Sequence, residues 1–184
     1  MGYVGARRAS QHRQASETAV LRAIIDSSYT RTLPDSMAGA PEVLLDDHFD
    51  DVEGGRASDV AEWVADSIPD IPRELIRDLA RVATDRSRIE PFALGRSRLR
   101  LLSDSTLARF FGRLKPGWEG FRRAFPQGGG IVSVSRVGLT HDGRWAMVYV
   151  GSQGDWLAGA GFVYVLHHDG GIWRIRHRQL LWIS

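Results

Sequence analysis

The last third of the chain, residues 130–184, constrains the fold more than any other part of the sequence. It contains four apolar segments separated by two Asp-Gly turns and one glycine-rich loop, a pattern typical of antiparallel strands. The Asp142-Gly143 dipeptide favours a two-residue hairpin turn, because both turn positions need positive φ. That turn predicts three cross-strand pairs: Leu139 with Ala146, Val137 with Val148, and Arg136 with Tyr149.

The second turn, around Asp169-Gly170, is compatible with two registers. A three-residue loop opposes Val165 to Ile175, whereas a two-residue loop opposes Val165 to Arg174. The first register pairs an apolar side chain with an apolar one, so we predict that one.

The chain upstream of this sheet has the apolar spacing of helices. We predict a first helix over residues 17–29 capped by Ser16, further helices over 59–67, 73–84 and 104–111, another opening at 116–117, and short strands over 42–45 and 98–102. The predicted fold class is α+β, with N-terminal helices packed on one face of a C-terminal antiparallel β-meander sheet. Residues 1–15 would form a flexible arm and residues 16–184 a single domain, its helical part spanning about 16–128 and its β-meander about 129–184.

Composition excludes several classes of function. The 184 residues include no cysteine, so disulfides, thiolate metal sites and a cysteine nucleophile are excluded. The N-terminus is polar and rich in arginine and does not resemble a secretory signal. The sequence contains no apolar run of the length that a membrane helix needs. We therefore expect a cytoplasmic protein that does not bind a membrane.

Charge is unevenly distributed along the sequence. Residues 42–90 hold 14 acidic against 6 basic side chains, and residues 91–128 hold 8 basic against 2 acidic ones. A basic stretch raises the possibility of a nucleic-acid site. Aromatic side chains are not interleaved with it as stacking platforms, and no nucleic-acid motif is present, so a nucleic-acid partner is unlikely.

Several strings in the C-terminal part resemble those of an uncharacterised bacterial protein family. The hallmarks of that family are an LSRVGF-type strand, an ALVYVG-type strand, a glycine-rich loop and a C-terminal WIS motif. The corresponding strings here are Ser133-x-Ser135-Arg136-Val137-Gly138-Leu139, Ala146-x-Val148-Tyr149-Val150-Gly151, Gly159-x-Gly161 and Leu181-Trp182-Ile183-Ser184. The resemblance covers about residues 100–184 and implies the fold without implying an activity. Relatives often carry a cysteine pair in the loop that this chain forms from 153–159.

The candidate ligand-binding residues are Arg136, Tyr149, Asp155 and Trp156. If Val137 faces the core, Arg136 lies on the other face beside Tyr149, where its guanidinium would bind a carboxylate or phosphate bidentately. The alternative is structural: Arg136 pairs with an acidic residue such as Asp155 and braces the sheet. Trp156, in the glycine-rich loop, is a candidate lid or partner anchor.

The densest group of potential metal ligands is the acidic stretch 46–51. It lacks the spacing of a calcium-binding EF-hand, and neighbouring carboxylates point in alternating directions. We interpret it as a solvated acidic loop. The sequence predicts neither metal ligands nor catalytic residues, and no cofactor.

These patterns favour a non-catalytic binding or interaction module. Its expected partner is another protein or a small acidic ligand, and homodimer formation through the last strand is open. One alternative is a small-molecule enzyme with a pocket between the sheet and the helices. The other is a nucleic-acid binder that uses the basic patch of 96–123.

Overall fold

The computed structural model describes residues 2–29, 40–50, 64, 67, 68 and 70–184, with side chains from residue 10 onward. The helices among these residues are α1 (Gly2–Ser28), α2 (Arg73–Val82), α3 (Asp104–Leu107) and α4 (Gly117–Ala124). The strands are β1 (Glu42–Asp46), β2 (Arg98–Leu102), β3 (Gly128–Val134), β4 (Gly138–Leu139), β5 (Trp145–Asp155), β6 (Ala158–Asp169) and β7 (Ile172–Ile183). Both kinds of element are abundant, and the predicted α+β class is confirmed.

The strands form one seven-stranded sheet in the order β2-β1-β3-β5-β6-β7, with β4 also paired to β5. Strands β2 and β3 both pair with β1 in parallel, and β3, β5, β6 and β7 pair with one another antiparallel. The sheet as a whole is therefore mixed and not purely antiparallel as predicted, because β1 and β2 join the antiparallel C-terminal strands in parallel. Parallel neighbours need long crossovers, and the chain segments after β1 and β2 are long enough to provide them.

Helices cover both faces of the sheet, which corrects the prediction that they pack on one. The face contacted by α1 is called the front face here, and the opposite one the back face. On the front, α1 packs on alternate strand residues in a single cluster that includes Ile24, Val43, Val134, Val148 and Tyr164. On the back there are two clusters: the α2 cluster (Leu75, Leu79, Met147, Tyr149, Val163, Val165) and the α4 cluster (Leu44, Leu102, Trp118, Phe121).

Strand β5 shows why both faces must be covered. Its residues Ala146–Val150 are all apolar or aromatic, and all are at most 2% exposed. Successive strand residues point to opposite faces, so a continuous buried run requires a packing layer on each side. The sequence showed this apolar run, but the prediction assigned only its even-numbered residues to the core.

The first hairpin follows the predicted register only near its turn. Leu139 pairs with Ala146 as predicted. Farther along, Ser135 lies opposite Tyr149 and donates its backbone N–H to the carbonyl of that residue at 3.0 Å. One extra residue therefore separates β3 from β4, in the manner of a β-bulge. The predicted pair of Arg136 with Tyr149 is therefore wrong, whereas Val137 lies in the front-face cluster with Val148.

The register predicted at the second turn is also wrong. Ile175 pairs with Leu166, and the turn consists of Gly170 and Gly171 alone. These glycines have φ of 57° and 86°. A two-residue turn with positive φ at both positions matches the twist of a hairpin, and the second glycine makes it available here.

Most predicted elements before the sheet are confirmed, including α2, β2 and α4. The Ser103 side chain caps α3, since its Oγ accepts from the backbone N–H of Thr106 at 3.3 Å. Helix α1 begins at Gly2, so Ser16 lies inside the helix and is not its cap. The predicted helix over 59–67 falls largely outside the described residues. None of the described helices has the length and apolar character to cross a membrane.

Candidate functional site

Arg136 lies on the front face beneath α1, with its charge already compensated. Its Nε donates to Glu17 Oε1 at 2.9 Å. Its Nη1 donates to Asp85 Oδ2 at 3.1 Å and to Ser87 Oγ at 3.0 Å. The guanidinium also lies 4.7 Å from the centroid of the Phe49 ring. Two carboxylates and an aromatic face hold Arg136 as a brace between α1 and the chain that follows α2.

Side chains also hold the irregular backbone between β3 and β4. Glu17, which is 4% exposed, accepts the backbone N–H of Val137 at 2.9 Å. Asp78 Oδ2 accepts the backbone N–H of Leu139 and the Arg13 guanidinium, each at 2.8 Å. Arg13 in turn donates to the carbonyl oxygen of Val137 at 2.8 Å. Backbone groups that a bulge removes from the ladder thus find partners on α1 and α2.

Asp155 and Trp156 lie at the turn between β5 and β6, away from Arg136. Asp155 accepts from Arg122 of α4 at 2.9 Å, so the predicted brace between Asp155 and Arg136 is wrong. The ring of Trp156, a residue that is 62% exposed, lies 6.1 Å from that of Phe111. The hydrogen bond from Arg122 and that from the Trp156 backbone hold the pKa of Asp155 below its usual value.

Tyr149 lies on the back face, where the C-terminal strand contacts it. The indole Nε1 of Trp182 donates to the Tyr149 hydroxyl at 3.1 Å. Trp182 lies across Gly161, and a Cβ at that glycine would overlap the indole ring. The structure therefore separates the four predicted site residues. Arg136 lies on the front face, Tyr149 lies on the back face, and Asp155 and Trp156 lie at the turn between β5 and β6. Their role in ligand binding stays a prediction.

The back face carries a polar cleft between the α2 cluster and the α4 cluster. The cleft has a volume of about 620 Å³, and its floor includes Ser133 and Tyr149. Its walls include Trp182 on one side and, on another, charged side chains of the loops that follow β1 and α2: Asp46, Asp50 and Arg86. We call this space the back-face cleft. It lies where the carboxyl ends of parallel β1 and β3 meet the antiparallel part of the sheet, a common location for ligands in mixed sheets.

The electrostatics of the back-face cleft are predominantly acidic. Burial raises the pKa of Asp46, although the backbone N–H of His48 donates to its carboxylate and opposes that rise. Three neighbouring carboxylates raise it further: Asp104, Asp47 and Asp50. The field at this end of β1 therefore favours a positively charged or hydrogen-bond-donating group.

A larger cavity, of about 820 Å³, surrounds the glycines at the start of β3. Its charged side chains are engaged: Glu42 accepts from Arg100 at 2.8 Å, and Arg122 pairs with Asp155. The guanidinium of Arg178 stacks 3.8 Å above the ring of Phe162. The back-face cleft, with two carboxylates of the acidic group at the end of β1, is the better candidate for specific polar recognition in spite of its smaller volume.

The interpretation of residues 46–51 as a solvated loop is wrong for its first part. Asp46 is the last residue of β1, and Asp47 is only 9% exposed. His48 makes an isolated bridge to Arg88. Asp51 lies outside the described residues. The sequence did place an acidic run after an apolar strand, but it could not show that residues 87–89 pair with that run.

Four of the residues that carried the family resemblance line the back-face cleft. Tyr149 and Gly151 from the second string, Ser133 from the first and Trp182 from the last all line it. Trp182 was not among the predicted ligand-binding residues, although its position in a terminal motif was a signal for it. No family profile, curated protein or solved structure matches the chain. The resemblance therefore stays a prediction.

Proposed function

We propose that this protein is a binding module whose small polar ligand lies in the back-face cleft. The observation that carries the proposal is the arrangement of the Tyr149–Trp182 hydrogen bond beside the Asp46 and Asp50 carboxylates in one cleft. The rings of Tyr149 and Trp182 supply a rigid aromatic wall that carries the polar Tyr149 hydroxyl, and the carboxylates supply hydrogen-bond acceptors. These features support a ligand that carries an amine or several hydroxyl groups.

The charge distribution argues for this ligand chemistry over the acidic ligand expected from the sequence. That expectation depended on Arg136 as a recognition residue. Arg136 is bound by Glu17 and Asp85 on the front face. In the cleft itself, Arg86 faces two carboxylates. A ligand with donor groups would pair with those carboxylates, whereas an acidic one would be repelled by them.

A thermal-shift and calorimetric screen tests the proposal. EDTA-treated protein is screened with amines, amino acids and sugars, and with simple carboxylates and phosphates at equal ionic strength. We expect amines or polyhydroxylated compounds to raise the melting temperature. The Ser133→Leu variant, which fills the cleft floor, should lose that shift, and Asp50→Asn should weaken it. Ser105→Leu, on exposed α3, is the matched control and should behave as wild type.

Two outcomes contradict the proposal. One is that no compound class shifts the melting temperature of wild type. The other is that Ser133→Leu, shown to be folded by circular dichroism, responds to every hit as the wild type does.

The second candidate is a small-molecule enzyme that uses the same cleft. It is favoured by the two carboxylates of the cleft, since such groups perform general acid–base catalysis. Mass spectrometry of each binding compound after incubation with the protein distinguishes the two functions. A product that forms with wild type and not with Asp50→Asn, while binding persists, would establish the enzyme. Unchanged compounds would support the binding module.

The edge of the sheet is a further place where a protein partner would bind. Strand β7 ends the sheet on one side, and three of its apolar side chains are exposed: Ile172, Leu180 and Ile183. Light scattering over a concentration series tests the homodimer. A dimer that Ile183→Lys dissociates would support pairing at this edge, and a monomer at all concentrations would contradict it.

A further inference from the structure

The carboxyl end of β1 brings three potential metal ligands together. Asp46, Asp47 and His48 each offer one ligand atom, and these atoms all lie within 4.8 Å of one another. Two carboxylate oxygens and one imidazole nitrogen form a mixed set that suits first-row divalent ions. Spacing of this kind is common on protein surfaces, so the set alone does not indicate a metal.

The second observation is the contact between Asp47 and His48. Asp47 Oδ1 and His48 Nδ1 lie 2.6 Å apart, and both atoms are completely buried. The distance qualifies as an ion pair, yet the angles do not allow a hydrogen bond, and neither atom has another hydrogen-bond partner. A cation bound by both atoms would satisfy them, and a buried polar atom without a partner is otherwise costly.

The backbone around the ligands is fixed by hydrogen bonds. The N–H of Asp47 donates to the carbonyl of Leu102 at 3.0 Å, and its own carbonyl accepts from Ile89 at 2.8 Å. The N–H of Phe49 donates to the carbonyl of Ser87 at 3.0 Å. Two segments, the end of β2 and residues 87–89, therefore hold the ligands in place, which reduces the ordering cost of binding an ion.

The surrounding charge favours a cation. Arg86 lines the cleft together with Asp46, and Arg88 Nη2 is 3.9 Å from Asp47 Oδ2 on a side chain that is 73% exposed. An exposed arginine at this distance screens a buried carboxylate weakly. Asp50 and Asp104 add negative charge near Asp46.

We propose that Asp46, Asp47 and His48 bind a divalent first-row metal ion such as Mn²⁺ or Zn²⁺. Solvent or a ligand would complete the coordination, as is usual when a protein supplies three ligands. Asp46 also lines the back-face cleft, so the ion would lie at one end of it. The metal site does not depend on the proposed small ligand.

The test is calorimetric titration of tag-free, EDTA-treated protein with Mn²⁺ and with Zn²⁺. Wild type should bind one ion per chain and melt at a higher temperature with metal. His48→Gln and Asp47→Asn should each lose at least tenfold in affinity. The His168→Gln and Asp169→Asn variants, at the last two residues of β6, are matched controls and should bind as wild type does.

Failure of wild type to bind either ion, or equal binding by His48→Gln, would overturn the proposal and leave an ordinary ion pair. His48 is the more accessible of the two, so His48→Gln keeps the test decisive if Asp47→Asn does not fold. Ser133→Leu separates the two proposals, because it blocks the cleft floor and should still bind the metal.

Discussion

The two faces of the sheet differ in how completely they are packed. The front face carries one continuous cluster, and the arginine nearest its bulge is neutralised by two carboxylates. The back face carries two separate clusters with a polar cleft between them. The comparison indicates that the front face is built for stability, and that the back face retains a polar space, lined by the Asp46 and Asp50 carboxylates, that a ligand or ion can use.

The largest expected effect comes from breaking the front face at Glu17. Replacement by alanine leaves Arg136 and the Val137 N–H without a buried acceptor, which should cost about 3–5 kcal/mol of unfolding free energy. Urea denaturation measures this cost. Glu17→Gln keeps an acceptor and should lose less. If Glu17→Ala is as stable as wild type, the front-face brace is not structural.

Asp78 tests the same face through its charge. Burial alone would raise the pKa of Asp78, but hydrogen bonds from the Leu139 N–H, Arg81 and Arg13 outweigh it and hold the pKa below its usual value. A carboxyl with a lowered folded pKa stabilises the protein above its unfolded pKa of about 4, and that stabilisation is lost as pH falls through the folded value. Asp78→Asn should therefore cost about 1.5–3 kcal/mol near neutral pH.

The difference between wild type and Asp78→Asn should begin to shrink near pH 4, where the carboxyl of the unfolded chain becomes protonated, and it should disappear as pH falls through the lower pKa of the folded chain. Chemical denaturation across pH 3–8 measures it. A difference that stays constant down to pH 3 would show that the charge of Asp78 contributes nothing.

Gly138 tests how closely α2 packs on the sheet. A Cβ at this glycine would lie 2.7 Å from the backbone nitrogen of Leu79. Gly138→Ala should therefore displace α2 and cost about 1–3 kcal/mol. Thermal unfolding measures the loss. Gly154→Ala, where the nearest atom would be 3.3 Å away, is the control and should cost less.

The smallest effect on stability is expected from the wall of the cleft. Trp182→Phe removes the hydrogen bond to the Tyr149 hydroxyl but keeps most of the aromatic surface, so it should cost about 0.5–1.5 kcal/mol. The same variant should reduce binding of the ligand found for the cleft. A large loss of stability with normal binding would reverse the roles assigned to the two faces.

Particular residues show how much of this was predictable. Local patterns identified α2, β2 and the pairing of Leu139 with Ala146, because each depends on neighbours within a few positions. The inserted residue before β4 was not predictable, since side chains distant in sequence hold it: Glu17 and Asp78. That one-residue shift places Arg136 on the front face, and it separates the predicted site residues.

The sequence by itself determined the α+β class, the apolar strands and the acidic run that follows β1. Hydrophobic periodicity and turn chemistry are local, and they act wherever the chain is placed. Only the tertiary structure decided that β1 and β2 join the sheet in parallel, and that Trp182 reaches Tyr149. It also decided that Asp47 is buried against His48. These contacts depend on packing and on pairing between residues that are far apart in the sequence. No short stretch of the sequence specifies them.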